Sequence, residues 1–208
     1  LLLAGTMLLA APIGARAATI VVDVTNDELN GDADCSLREA IQAANTDSAV
    51  SGCAAGSGAD TITVPAGTYR LRRVGANENN NATGDLDVLG DVTIEGAGGY
   101  LTAIDGNGTD RVLHVRSGTV VVEEVVIQNG LVPQTATGAS CTNQLNCDVT
   151  AGGGSPGGGV LTDPGTSTTL RRVIVENNQA GRGGNAGNIS CPTAGAVCKT
   201  YSGEGGDG

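Results

Sequence analysis

The residues of this chain that could do chemistry are few and scattered. Glu95, Asp105, Asp110 and Asp163 are the carboxylates of its central stretch. Hydrolysis of a glycosidic bond needs two carboxylates flanking that bond. A calcium-assisted lyase needs an acidic cluster and a basic residue to take the proton. Asp105 and Asp110, in AIDGNGTDR with Arg111 beside them, come nearest to that second pattern. The short, glycine-containing stretch reads more simply as a turn, and it lacks the nonapeptide period of calcium-binding repeats. Asp and Glu total 22, so most carboxylates belong to solvated faces. His114 is the one histidine. It lies in VLHV, with Val112 on its own face and Leu113 and Val115 on the other. It reads as an ordinary side chain rather than a catalyst. No serine–histidine–acid set can be placed. GRGGNAG, residues 181–187, lacks the Lys-Ser/Thr and the strand-to-helix setting of a phosphate loop. No catalytic residue, cofactor or metal ligand is therefore assigned, and the reading leans away from an enzyme.

The elements that would position any site follow from composition. A formal charge of −11 argues against a nucleic-acid partner, which needs clustered Lys and Arg. Phe and Trp are absent and glycine reaches 34 residues. Val, Ile, Leu and Ala must fill the core, and short strands with tight turns are expected. The opening LLLAGTMLLAAPIGARA is an apolar run followed by Ala15-Arg16-Ala17, as at a secretory cleavage site. It is too short and too broken by Gly5 and Pro12 for a membrane span. The chain is expected to begin inside a longer precursor. The six cysteines form local pairs, Cys35 with Cys53, Cys141 with Cys147 and Cys191 with Cys198. Behind an export signal they read as disulfides rather than as a zinc site, although spacing does not prove the pairing. Three N-glycosylation sequons, at Asn81, Asn107 and Asn188, matter only in a eukaryotic host.

One helix is expected near the start, in CSLREAIQAAN. Leu37, Ala40, Ile41 and Ala44 form a stripe at helical spacing. Ser36 and Glu39 form a capping box: the hydroxyl accepts from the N–H of Glu39, and the Glu39 carboxylate accepts from that of Ser36. Strand-like runs flank it, ATIVVDV before and DTITVPAGTYRL after.

An internal repeat organises the rest. VLHVRSGTVVVEEVVIQNG, residues 112–130, aligns without a gap on VLTDPGTSTTLRRVIVENN, residues 160–178. Val122, Val125 and Ile127 meet Leu170, Val173 and Val175, and Asn129 meets Asn177. His114 meets Thr162. Glu123 and Glu124 face Arg171 and Arg172. LGDVTIEG, residues 89–96, is an earlier copy. Units that cannot bury a face alone imply stacking. The expected fold is an all-β, right-handed parallel β-helix with a short N-terminal helical cap. Asn129 and Asn177 are expected to form an asparagine ladder. A cystine-clipped, glycine-rich excursion follows each repeat, and the natural protein is expected to continue past Gly208.

CSLREAI, Cys35 to Ile41, resembles the CSLREA domain, an N-terminal module of secreted bacterial proteins with parallel β-helix repeats. VVIQNG, GGGV and VIVENN resemble the repeats that follow it. They resemble more loosely the repeats of polymorphic outer-membrane proteins, with Val175 where those carry Phe. The resemblance implies export and no established reaction. Together with the readings above, the chain is expected to divide into a signal peptide at 1–17, a CSLREA-type N-terminal capping region at 18–59, and repeats at 60–208 with clipped loops at 131–157 and 179–208. The helix is expected to cap the first coil, with Leu37, Ile41 and Ala44 covering the open end of the aliphatic stack and a Cys35–Cys53 disulfide pinning it. The function expected is a secreted or cell-surface, adhesin-like scaffold whose partners are glycans or other cell-surface molecules. The alternatives are a carbohydrate-active enzyme and a structural passenger domain.

Overall fold

The computed structural model describes residues 16–75, 78–132 and 157–179, and the backbone of 147–148. Its strands are β1 (Thr19–Val21), β2 (Asp60–Val64), β3 (Gly67–Arg70), β4 (Leu86–Val88), β5 (Val92–Gly96), β6 (Thr102–Asp105), β7 (Leu113–Val115), β8 (Thr119–Glu123), β9 (Val125–Gln128), β10 (Cys147–Asp148), β11 (Val160–Thr162), β12 (Ser167–Arg171) and β13 (Ile174–Glu176). They form a six-stranded sheet in the order β1-β2-β5-β8-β12-β10, a four-stranded sheet β13-β9-β6-β3 and a three-stranded sheet β11-β7-β4. All pairings are parallel except β10 with β12.

Alternation along the strands fills the core. In the first sheet Ile20 pairs with Ile62, Ile62 with Ile94, Ile94 with Val122, and Val122 with Leu170. In the second, Tyr69, Ile104, Ile127 and Val175 run in register. In the third, Leu86 pairs with Leu113 and Leu113 with Val160. Aliphatic side chains repeat at most of these positions, so one core, reaching from Ile20 to Ile127, is filled with Tyr69 as the one aromatic ring among the described buried hydrophobic residues.

The helix α1 (Leu37–Thr46) starts at Ser36, whose side chain accepts from the Glu39 N–H, and both halves of the capping box are present. Asp47 ends it in the left-handed conformation, φ 49°, donating its N–H to the Ala43 carbonyl. Leu37, Ala40, Ile41, Ala43 and Ala44 are all buried. The helix packs on β4, β2 and β1, so it lies on the first strands of two sheets. Cys35 and Cys53 are disulfide-bonded with their Cα atoms 4.7 Å apart.

The expected all-β, right-handed parallel β-helix is corrected by this architecture. The described residues form three parallel sheets together with one α-helix that contributes to the core, an α/β-like arrangement, and no solenoid is established. The physical reason is that a repeat in register reports which strands are neighbours. It does not report how separate sheets are joined, and it is blind to a helix that supplies core residues without repeating.

The register itself shows what a gapless alignment misses. β12 pairs with β8 as Leu170 with Val122, and β13 with β9 as Val175 with Ile127, both as aligned. β11 is shifted by one residue: Val160 pairs with Leu113, and Leu161, not Thr162, lies beside His114. Gly118 and Gly165 take up the turns before β8 and β12 with φ of 83° and 87°, a conformation that favours glycine. One residue, Thr166, is thus extra after the second turn. Thr162 faces inward instead, and its hydroxyl lies 3.0 Å from that of Thr168.

The facing charges do meet. Glu123 pairs with Arg171 across the strands, and Arg172 pairs with both Glu123 and Glu124. The arginines are largely exposed, so solvent screens these pairs and they add little to stability. The expected asparagine ladder is displaced by one residue. Asn129 and Asn177 are corner residues with φ of 57° and 55°. Asn178 makes the bridge, accepting from the Gly130 N–H at 2.7 Å and donating to the Ile127 carbonyl at 3.0 Å. Most of the leader expected at 1–17, Cys141, Cys191, Cys198, the side chain of Cys147, the 181–187 stretch, Asn188 and most of the two excursions lie outside the described residues.

Two stability measurements check this packing. Ile41→Ala empties a fully buried position between helix and sheet and should cost about 2–5 kcal/mol in chemical denaturation. Cys53→Ser opens a cross-link of sequence separation 18 and should cost about 3 kcal/mol. A loss below about 0.5 kcal/mol in either would show the helix to be loosely attached.

Candidate functional site

The most unusual chemistry lies on the three-stranded sheet. Leu86 and Val88 of β4, and Leu113 and Val115 of β7, face the aliphatic core. Asp87 and His114 alternate with them and are direct register partners. Asp85 precedes Asp87 by two residues and shares its face. Such an outer face would ordinarily be wet, yet Asp85 and Asp87 are 0 % exposed and His114 is 5 % exposed.

The segment that covers this face is held by α1. Arg38, 1 % exposed, donates to the carbonyls of Asn81, Gly84 and Asp85 at 3.3, 2.8 and 2.9 Å. Its remaining N–H groups reach Asp27, at 2.5 Å through Nε and 3.4 Å through Nη2. All five guanidinium donors therefore have acceptors. Asn81 returns the contact, donating from Nδ2 to the Arg38 carbonyl at 2.8 Å, and its N–H donates to Asp87 Oδ2 at 3.0 Å. Asn45 of α1 donates to the Asp87 carbonyl at 2.8 Å and accepts from the Leu89 N–H at 2.8 Å.

Within the cluster, Arg111 Nε donates to Asp85 Oδ2 at 2.7 Å. His114 Nε2 lies 3.0 Å from Asp163 Oδ1, and Arg116 lies 3.5 Å from the other Asp163 oxygen. His114 Nδ1 is 3.1 Å from Asp87 Oδ1. That approach is close but badly angled, so neither atom has a hydrogen-bond partner. Asp85 Oδ1 and Asp110 Oδ2 are also buried without one.

Burial pushes the Asp85 carboxyl up to about 6; Arg111 opposes this, while the charges of Asp87 and Asp110 add to it. Burial also raises Asp110. For His114 burial disfavours the charged ring, but the carboxylates of Asp87 and Asp163 outweigh it and the net shift is upward. Two chemical roles suit this arrangement. The imidazole and its carboxylates can share a proton, or Asp85, Asp87 and His114, whose ligand atoms lie within 4.8 Å of one another, can hold a cation.

Glu28, Asp32 and Asp34 form a second acidic group before α1, within the same distance limit and partly exposed. Asp34 is pushed up to about 6 by partial burial and by Asp32, Glu28 and Glu39. The Ser51 hydroxyl holds Asp32 down.

The carboxylates singled out in the sequence separate. Glu95 is exposed on β5, in register with Glu123. Asp105 pairs with Arg70 at 3.4 Å and accepts from Gln128 at 3.3 Å. Asp110 accepts from the Arg111 N–H at 2.8 Å and belongs to the buried cluster. Asp163 supports His114. Sequence reading missed Arg38, Asn81, Asp85 and Asp87, and it treated His114 as ordinary. The legible signal was DLDV, residues 85–88, a polar–apolar alternation set against the same alternation in LHV.

Compared with protein-family models, curated proteins and solved structures, the chain finds no match. Among the described residues, no helix is long and apolar enough to cross a membrane.

The cluster has a predictable pH signature. Asp85 binds its proton more tightly in the native state than in the unfolded chain, so it adds stability as pH falls from about 6 towards 3.8. His114 adds stability below 6.5 that is lost as pH rises through its higher native value. Both act in one direction. In the presence of a chelator, the melting temperature of the wild type should rise relative to that of Asp85→Asn as pH is lowered through this window. Parallel curves would contradict the burial described.

Proposed function

We propose that the chain is a secreted or cell-surface scaffold whose two insertions together form a binding surface for glycans or other cell-surface molecules. The observation that carries this reading is where the insertions leave the sheets. Leu131 and Gln179, at the ends of successive repeats, pair as a parallel bridge. The Gln179 N–H donates to the Gly130 carbonyl at 2.8 Å, and the Val132 N–H to the Gln179 carbonyl at 3.0 Å. Two segments of different sequence thus depart from adjacent, hydrogen-bonded points on a rigid frame. Binding residues borne on loops and positioned by a stiff scaffold suit recognition.

The Cys35–Cys53 disulfide favours an oxidising compartment, and the resemblance of residues 35–41 to the CSLREA domain favours export. Asp85, Asp87, Asp105 and Asp110 are all buried, so none of these four lies open to a glycosidic bond.

The test is to replace residues 133–156 with a short Gly-Ser linker and to screen both proteins against polysaccharides and cell-surface glycans. The wild type should bind a glycan, while the variant melts at a similar temperature and binds at least tenfold more weakly. Equal binding by both, or turnover of an acidic polysaccharide with or without calcium, would overturn the reading.

A further inference from the structure

The buried cluster on β4 and β7 supports an inference that goes beyond the display of loops and does not depend on it. Asp85, Asp87, Asp110 and Asp163 set four carboxylates against the guanidiniums of Arg111 and Arg116. With a neutral imidazole, that leaves an excess of two negative charges, with Asp85, Asp87 and Asp110 shut off from water and Asp163 and Arg116 about a third exposed. Uncompensated charge in such a place is costly.

The hydrogen bonding sharpens the point. When His114 Nε2 donates its proton to Asp163, its Nδ1 carries a lone pair. That lone pair lies 3.1 Å from Asp87 Oδ1, an acceptor, and is not aimed straight at it. Two acceptors at this distance repel each other unless a positive species binds both. Asp85 Oδ1 is buried in the same cluster with no hydrogen-bond partner. A carboxylate on the far nitrogen of an imidazole is also the arrangement that orients metal-binding histidines and raises their basicity.

We propose that Asp85, Asp87 and His114 bind a single first-row divalent cation of the zinc type, with Asp163 holding the imidazole by Nε2. Zinc bonds to nitrogen and oxygen of about 2.0–2.2 Å place tetrahedral ligand atoms about 3.3 Å apart. The His114 Nδ1–Asp87 Oδ1 distance of 3.1 Å fits this; Asp85, whose Oδ2 is 3.9 Å from Nδ1, closes in when the cation binds, the three ligand atoms lying within 4.8 Å of one another. An imidazole and two carboxylates suit zinc, cobalt or manganese better than calcium, which takes six to eight oxygens. The bound cation ties Asp87 of β4, and Asp85 just before that strand, to His114 of β7. Asp163 is a positioning residue, because it touches the ligand ring and not the cation.

The test uses the whole chain, stripped with EDTA and titrated with Co(II) while visible absorption is followed. One equivalent should bind with the intense d–d bands of a low-coordinate site. Zn(II) should displace it and raise the melting temperature, while Mg(II) and Ca(II) should do neither. His114→Gln and Asp87→Asn should abolish the bands. Asp163→Asn should weaken binding about 10–100-fold. Glu123→Gln, on another sheet, should change nothing. Absence of Co(II) bands in the folded wild type would overturn the proposal and leave the cluster as a proton-sharing network. So would bands that survive in His114→Gln, since they would place the cation elsewhere, as at Glu28, Asp32 and Asp34. If His114→Gln fails to fold, the wild-type titration with the Asp163→Asn shift decides alone.

Discussion

A single buried guanidinium holds the amino-terminal part of this structure together. Arg38 sits on the inner side of a three-turn helix, and no water is available to it. Its charge is met by Asp27, and its other donors are met by carbonyls of the segment that leads into β4. Asp27 Oδ2 also accepts from the N–H groups of Arg72 and Arg73, at 2.5 and 2.7 Å. One ion pair therefore joins the chain before α1, the helix itself, the residues just after β3 and the approach to β4. A buried pair like this is weak evidence for net stability, because desolvation offsets the attraction. Its value lies in specificity. Any other placement of these segments leaves a charge or several carbonyls unpaired in the interior.

The buried cluster on the three-stranded sheet is a consequence of that placement. Residues 78–84 have no regular structure of their own, yet they lie where they seal the outer face of β4 and β7. With that cover, Asp87 and His114 change from surface residues into interior ones. Their mutual register follows from the ladder that also aligns Leu86 with Leu113. Backbone pairing thus sets which side chains meet, and the Arg38 contacts set how dry their surroundings are. The second determines the chemistry, since Asp85 in water would have ordinary acidity and no need of a partner.

Local features were legible in the sequence, and those that depend on cover were not. Ser36 and Glu39 announce the helix start because a capping box is a contact within four residues. The pairing of Val122 with Leu170 could be read because both strands repeat the same alternation. The shift at β11 could not, since an extra Thr166 in a turn is compatible with a gapless alignment of similar residues. The sheet arrangement was misjudged because the repeat says nothing of how the helix enters the core. Asp85, Asp87 and Arg38 escaped notice for a common reason. Each is a charged residue in a chain rich in charge, and burial by a segment some forty positions away along the chain from Arg38 leaves no local pattern. His114 was assigned to the wrong neighbour by the one-residue shift and so lost the context that marks it.

Hydrogen–deuterium exchange of Arg38→Leu, compared with the wild type, tests the central claim most directly. Leucine keeps the apolar stem and removes every guanidinium contact. Residues 81–88 should lose protection selectively, including the Leu86 N–H that donates to the Val112 carbonyl, while β8, β9 and β12 keep theirs. Unchanged protection across 81–88 in a folded Arg38→Leu protein would contradict the claim that this arginine places the segment and, through it, the buried cluster.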